Sequence, residues 1–189
     1  MQIAEQSASL PTPADDRAAL RNYYFLRAGV AAAWIGAAVT LGKAEPLAAA
    51  ALLIAYPAWD GLANLIDGAR DGGLWRNRTQ AINAAVSIAT ATAVAATIGD
   101  MKTVLAIYGA WAILAGLLQL ATGARRWRAY GAQWVMVLSG AQSALAGGFF
   151  LSRASGAGVP GIADIVPYAA FGAFYFLVSA LWLRFRRNR

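Results

Sequence analysis

The sequence predicts an all-α, polytopic membrane protein in which six transmembrane helices form three tandem helical hairpins of parallel orientation. Apolar residues make up 59% of the chain and charged residues only 13%, unlike an ordinary soluble domain. The charges separate apolar runs of about 20 residues, the length that crosses the hydrocarbon core as a helix. A helix-pair pattern also recurs along the chain, and these observations together define the fold class.

Aromatic positions carry this internal repeat. Tyr56 and Trp59 recur as Tyr108 and Trp111 at an offset of 52 residues, and a third copy at 171–174 follows at an offset of 63. Each unit crosses the membrane twice and returns to the same side, so all units share one orientation. The pattern therefore predicts a pseudo-threefold axis along the membrane normal rather than an inverted repeat.

Each predicted element follows from one apolar run. The six spans are 23–42, 46–68, 79–98, 101–122, 130–152 and 164–184, grouped into repeats 23–68, 75–122 and 127–184 of a transmembrane domain at 23–184. Residues 1–22 are expected to be a partly disordered cytoplasmic tail, and 185–189 a basic one. Two turns on the far side are tight, whereas the third, at 153–160, is rich in small residues and is expected to form a flexible cover.

The 16 basic residues predict the orientation. All of them except Lys43, Lys102 and Arg153 lie near the ends of spans on one side. By the positive-inside rule, both termini face the cytoplasm. Basic clusters at span ends also predict contact with anionic lipid headgroups, and nucleic acid is not an expected partner.

Composition also limits the chemistry. The chain contains no cysteine and no histidine, which excludes thiol nucleophiles, Cys/His zinc sites and His-ligated haem. It has no phosphate-binding glycine motif and no recognisable nucleophile–base pair. We therefore expect no enzymatic activity, no metal site and no cofactor.

Span 2 carries the polar residues that are hardest to explain as lipid-facing. Asp60, Asn64 and Asp67 follow helical spacing and share one face. Pro57 removes the hydrogen bond to the Leu53 carbonyl and is expected to kink the helix. A buried acid beside a kink and a freed carbonyl is a candidate ion or proton site.

A structural interpretation of the same acid stays open. Arg27 lies about one turn into span 1 from the same side, and its side chain can reach Asp60 or Asp67. Such a pair holds two helices in register without any transport role. The repeat places Ala112 and Tyr175 opposite Asp60, so the shared architecture does not require an acid there.

Span 5 carries small residues at four-residue spacing, which let helix backbones approach closely. They predict either packing within the bundle or a homodimer seam, and these alternatives stay open. Polar residues of spans 3 and 5, such as Ser87 and Gln142, are expected to bond neighbouring helices. The deep tryptophans Trp34, Trp59 and Trp111 are expected to pack or to line a cavity. The small-residue seam consists of Ser139, Gly140, Ser143, Ala144, Gly147 and Gly148.

Several features together resemble a known family. The three-hairpin plan covers nearly the whole chain. The first span contains Gly29 and Gly36 and is followed by Pro46. The other shared positions are Trp75 and Trp127 at the starts of spans 3 and 5, and the glycines Gly61, Gly116 and Gly140 within the spans. With them the chain resembles the HdeD-like acid-resistance membrane proteins, six-span proteins of the bacterial inner membrane. It departs from that pattern because no proline opens span 4 after Asp100, and because Phe174 and Tyr175 stand where span 6 can carry an acid.

The resemblance implies a stress-linked role, with some members tied to acid resistance, and it brings no catalytic residues. The expected function is non-enzymatic support of acid or envelope stress tolerance, by moving or sensing protons through Asp60 or by organising neighbouring proteins and lipids. The alternative is a small transporter or channel for a neutral or hydrophobic solute, which an aromatic cavity would favour. A structural or assembly subunit of a larger membrane complex is the third hypothesis.

Overall fold

The computed structural model describes residues 13–70, 72–126 and 133–185, and all its regular structure is helical. The helices are α1 (Pro13–Ala44), α2 (Pro46–Arg70), α3 (Arg78–Thr97), α4 (Met101–Arg126), α5 (Gln133–Ser155) and α6 (Val166–Phe185), with a 3-10 turn at Ile162–Asp164 before α6. Trp127 lies outside these ranges. The predictions of a partly disordered first segment and of a basic tail at 185–189 also fall largely on residues outside them.

Five helical stretches are long and apolar enough to cross a membrane. They are Ala18–Ala44, Pro46–Arg70, Arg78–Thr97, Met101–Ala121 and Ile162–Phe185. The chain is thus an all-helical, multi-pass membrane protein. Helix α5 is 23 residues long, and its assignment as a sixth span stays a prediction.

The helix starts agree with local backbone chemistry. Helices α1 and α2 both begin at a proline, Pro13 and Pro46, a residue whose fixed φ suits the first helical turn. Helix α1 therefore extends well into the predicted tail 1–22. Asp100 accepts hydrogen bonds from the backbone of Lys102 at 3.0 Å and from the hydroxyl of Thr103, so it caps the start of α4.

The helices form a ring in which each contacts its neighbours in sequence and α6 closes onto α1. The most closely packed pairs are α2 with α3, α4 with α5, and α6 with α1. Each of these interfaces joins one predicted hairpin to the next. The contact between α5 and α6 is the thinnest around the ring.

Glycines bring α4 and α5 into backbone contact. A Cβ on Gly116 would lie 2.5 Å from the Gly140 carbonyl oxygen, and a Cβ on Gly147 would lie 2.5 Å from that of Gly109. Ala144 packs against Gly116 in the same seam. These small residues therefore serve packing within the chain, as expected where lipid gives helices no hydrophobic reason to associate.

One half of the ring is packed solid, and we call it the filled half. It adjoins the connections after α1, α3 and α5, and its buried cluster includes Leu53, Val94, Leu105, Tyr108, Phe150 and Ile165. The connection after α5, expected to be a flexible cover, is anchored here: Arg153 pairs with Asp164 at 3.2 Å, and Ile162 and Ile165 are buried. We call the opposite half, which adjoins the α2–α3 connection, the cavity half.

Candidate functional site

The cavity half contains a cavity of about 760 Å³ that all six helices line. Its walls combine aromatic rings with amides, hydroxyls and charged groups. Exposed residues of the α2–α3 connection, Arg76 among them, lie at one end of the cavity, which we call its outer end. Its principal side chains are Tyr23, Arg27, Tyr56, Trp59, Asp60, Asn64, Asp67, Arg76, Arg78, Gln80, Asn83, Trp111, Gln119, Ser139, Gln142, Ser143, Tyr168, Tyr175 and Ser179.

Asp60 lies at the centre of a hydrogen-bond network on the cavity wall. One carboxylate oxygen pairs with the guanidinium of Arg27. The other accepts hydrogen bonds from Asn64 Nδ2 at 2.9 Å and from the Ser87 hydroxyl at 2.8 Å. The Ser87 oxygen in turn accepts a bond from Trp111 Nε1 at 3.0 Å. Four helices thus contribute to the hydrogen-bond network of one carboxylate, whose direct partners are all donors.

Arg27 contacts Asp60 rather than Asp67, and its side chain is only 12% exposed. Its Nη1 donates to the Tyr23 hydroxyl at 3.2 Å, and that hydroxyl donates to the Ala63 carbonyl at 2.9 Å. The guanidinium also stacks on Phe176 of α6, 4.2 Å from the ring centroid. Arg27 thereby contacts residues of α1, α2 and α6.

The two Nη atoms of Arg27 have hydrogen-bond partners, whereas its Nε has none among the described residues. This Nε is also buried. A buried donor of this kind is uncommon and costs free energy unless something satisfies it.

Asp67 and Asn64 complete the predicted polar face of α2. Asp67 accepts a hydrogen bond from Gln80 of α3 at 3.1 Å, nearer the outer end of the cavity. Asn64 bonds both the side chain and the backbone carbonyl of Asp60. The predicted group of Arg27, Asp60, Asn64 and Asp67 therefore lies along one wall of the cavity.

Pro57 is buried, and the Leu53 carbonyl that it frees has a hydrogen-bond partner on a neighbouring helix. The Tyr108 hydroxyl of α4 donates to the Leu53 carbonyl at 2.5 Å. This is the carbonyl whose helical partner Pro57 removes. A neighbouring helix has thus replaced the lost hydrogen bond.

Aromatic rings form the floor between the two halves. Tyr56, Trp111 and Tyr168 line the cavity from below, and edge-to-face contacts join Trp111 to Tyr56 at 5.9 Å and to Tyr168 at 6.0 Å between centroids. Trp34 continues this layer at 4.7 Å from Tyr56, and its Nε1 donates to the Leu52 carbonyl at 2.8 Å. The indole N–H groups of Trp34 and Trp111 both have hydrogen-bond partners, as is usual for buried tryptophans.

The small residues of α5 lie in three different environments. Gly140, Ala144 and Gly147 contact α4, whereas Ser139 and Ser143 line the cavity. Gly148 is exposed and a Cβ there would meet no atom within 4 Å. The predicted seam therefore does not form one continuous surface.

Sequence reasoning missed the contributions of α4 and α6. Gln119 accepts a weak bond from Ser139 at 3.5 Å, and the Tyr175 hydroxyl donates to Gln142 Oε1 at 2.7 Å. The sequence signal that could have indicated these contributions is the presence of polar residues within the apolar runs of α4 and α6, such as Gln119 and Ser179. In the described part of the chain, no group of His, Cys, Asp or Glu could hold a metal ion.

Comparison with known proteins places the chain in no group. No family model, no characterised protein and no solved structure matches it significantly. The class of protein that the fold and site define is therefore a multi-pass helical membrane protein with a cavity in one half, and the HdeD-like resemblance stays a prediction from the sequence.

Proposed function

We propose that this protein binds a small organic solute in its cavity half and works as a small membrane transporter or channel for that solute. In this proposal all six helices, α5 included, span a bacterial inner membrane as three hairpins. Both termini lie in the cytoplasm, since the arginines at the outer end of the cavity belong to the positively charged side. The solute then enters from the cytoplasmic side.

The single observation that carries the proposal is the composition of the cavity wall. A bundle that served only as a scaffold would fill its axis, yet about 760 Å³ stays open between six helices. Ligand sites in helical bundles lie between facing helices and combine apolar surface with a few polar groups. Here the flat rings of Tyr56, Trp59 and Trp111 supply the apolar surface, while Asn83, Gln119 and Ser179 supply hydrogen-bonding groups.

The Arg27–Asp60 pair is the fixed part of this site. Since Asp60 accepts three hydrogen bonds already, it positions helices α1 to α4 around the cavity. The solute is recognised mainly by the groups around the pair, and the ion pair itself keeps the wall rigid.

Protection of a cavity cysteine tests the proposal. The chain has no cysteine, so Ser143→Cys in the wall and Ser155→Cys at the far end each give one thiol. Benzyl alcohol, benzoate and benzylamine present the same ring with neutral, acidic and basic heads. We expect at least one to slow modification of Ser143→Cys about tenfold at millimolar concentration, the range of a weak fragment, and none to protect Ser155→Cys. Failure of all three at Ser143 contradicts the proposal.

A second candidate function is proton movement or sensing in acid or envelope stress. Two features favour it: the HdeD-like resemblance, and the position of Asp60 on a wall that bulk water can reach through the cavity. Proton flux into liposomes under an imposed pH gradient, for the parent and Asp60→Asn, tests it. Flux that disappears in Asp60→Asn supports this function, and equal flux from both removes Asp60 from any proton pathway.

The proposed partners follow from the surface. Anionic lipid headgroups are expected at the cytoplasmic ends of the helices, where Arg70 and Arg184 are exposed. A homodimer or a membrane-protein partner stays a proposal, and Gly148 on the outer face of α5 is the described seam residue available to it. Cross-linking through Gly148→Cys in membranes tests a symmetric dimer, because only a two-fold contact places two copies of this position together.

A further inference from the structure

The ring is thinnest between α5 and α6, and this side of the molecule has its own chemistry. The glycine seam holds α5 against α4, while α6 packs along α1. In the cavity half, hydrogen bonds between side chains, from Tyr175 to Gln142 at 2.7 Å and between Tyr168 and Ser143, link the two helices across the gap. Because each such hydrogen bond contributes only about 1 kcal/mol, this interface costs less to open than the seam in which the backbones of α4 and α5 touch.

Apolar side chains flank the gap on α6. Phe176 faces α1, since it stacks on Arg27 and lies 6.1 Å from Tyr24. Two residues further along a helix is a rotation of about 200°, so Val178 faces the other way, toward α5. Val178 lines an apolar groove of about 470 Å³ with Leu181, Trp182 and Phe185.

Helix α5 presents a matching surface. Gly140 and Gly147 face α4, and the same rotation of about 200° turns Leu138 and Leu145 away from it. These leucines are 50% and 76% exposed. The gap therefore has apolar side chains on both flanks and a polar cavity behind it, with Phe171 lining the cavity and also 52% exposed.

The charges behind the gap favour an acid. Arg27 and Asp60 neutralise each other, which leaves Asp67 against Arg76 and Arg78 on the cavity wall. Asp67 is already bonded to Gln80. The guanidinium groups of Arg76 and Arg78, which remain on the cavity wall, suit a carboxylate or phosphate more than a cation.

We propose that the solute of this site is an amphiphile with an acidic head and one apolar chain, which enters sideways from the bilayer between α5 and α6. The head occupies the polar cavity, and the chain lies in the groove of Val178, Leu181, Trp182 and Phe185. This inference rests on the proposed function, because it names the class of solute and its route into the same cavity.

The test uses oleate and oleyl alcohol, which share a chain and differ in the acidic head. Both are added to Ser143→Cys protein in lipid nanodiscs, and protection of the thiol reports occupancy of the cavity. We expect oleate to protect at concentrations about tenfold lower than oleyl alcohol, the usual size of one charge-assisted contact. Adding Arg76→Gln and Arg78→Gln should remove most of that difference.

Two matched valines test the route. Val178→Trp fills the groove on α6, whereas Val39→Trp places the same ring on α1, where Val39 is 41% exposed and Val178 is 37% exposed. We expect Val178→Trp to weaken protection by oleate about tenfold and Val39→Trp to leave it unchanged. Equal effects of the two tryptophans would overturn the groove, and equal protection by oleate and oleyl alcohol would overturn the acidic head.

Benzoate separates this inference from the function on which it rests. As a short acid it needs the cavity and not the groove, so its protection of Ser143→Cys should be the same in Val178→Trp. Protection by benzoate without protection by oleate overturns the amphiphile alone. Protection by neither benzoate nor oleate, nor by the other benzyl probes, removes the proposed solute site altogether.

Discussion

The two halves of this bundle are built from the same six helices and are stabilised by different interactions. In the filled half, Leu53, Leu105 and Ile165 are almost fully buried, and packing excludes water. In the cavity half, a hydrogen-bond network around Asp60 replaces that packing. The difference indicates where the protein can bind something, because a packed half has no room and a networked half keeps its shape while open.

The repeat makes the contrast more informative. Tyr108 of the second unit corresponds to Tyr56 of the first, yet Tyr108 is buried and bonded to a carbonyl, while Tyr56 lines the cavity floor. Similar residues therefore have different tasks in the two copies. The shared pattern of the repeats therefore does not specify which copy lines the cavity.

The largest expected effect comes from the network. Arg27→Ala strands the carboxylate of Asp60 and should lower the free energy of unfolding by about 3 kcal/mol, as for other largely buried pairs. Thermal unfolding in mild detergent measures it, with Arg21→Ala as the control because Arg21 bonds the adjacent Asn22 at the surface. The swap Arg27→Asp with Asp60→Arg should recover part of the loss. Parental stability in Arg27→Ala would contradict the role of the pair.

A pair of alanines on α4 gives the next largest effect and compares packing directly. Ala112 is fully buried, whereas Ala115 lines the cavity. Ala112→Leu should cost about 1–3 kcal/mol through overpacking, and Ala115→Leu should change stability by less than about 0.5 kcal/mol. Unfolding temperatures of the two variants decide it. If Ala115→Leu is as costly as Ala112→Leu, the cavity half is as tightly packed as the filled half.

A smaller effect tests the bond between Tyr108 and the Leu53 carbonyl. Tyr108→Phe leaves a buried carbonyl without a partner and should cost about 1–2 kcal/mol. In a Pro57→Ala background the helix supplies its own N–H to that carbonyl, so the same change should cost less than about 0.5 kcal/mol. A double-mutant cycle on thermal stability measures the coupling. Equal costs in the two backgrounds would show that Tyr108 acts only through its ring.

The smallest effect concerns Asp100, at the fully exposed start of α4. The hydroxyl of Thr103, with backbone N–H groups, lowers the pKa of Asp100 from 3.8. A lowered folded-state pKa adds stability that is present above pH 3.8 and is lost as the pH falls through the folded value. Asp100→Asn should therefore lower the unfolding temperature slightly at pH 6 and less at pH 3. A difference that grows toward pH 3 has the wrong sign.

The sequence predicted the polar face of α2 better than the cavity around it. Charges inside an apolar run are conspicuous, so Arg27, Asp60 and Asp67 could be singled out without coordinates. The identity of the partner required the structure, because Arg27 had two acids within reach. The bond from Tyr108 to Leu53 also depends on how α4 aligns with α2, which no local pattern specifies.

The cavity itself could not be derived from the spans. Each helix contributes only a few polar residues, such as Gln119, Gln142 and Ser179, and a lone polar residue in a span usually bonds a neighbouring helix. Their convergence on one side follows from the rotation of each helix about its axis. That rotation is set by close contacts elsewhere, above all the glycine seam of α4 and α5.

The most direct test of the difference between the halves is to determine from which side of the membrane a cysteine in each half can be labelled. Ser143→Cys reports the cavity half and Ala154→Cys, at a position 9% exposed, reports the filled half. A membrane-impermeant maleimide is applied to intact cells and to inside-out vesicles. We predict that Ser143→Cys reacts in inside-out vesicles alone and that Ala154→Cys reacts slowly in both. Labelling of Ser143→Cys from the outside, or equal rates at the two positions, would contradict a cavity that opens to the cytoplasm above a packed half.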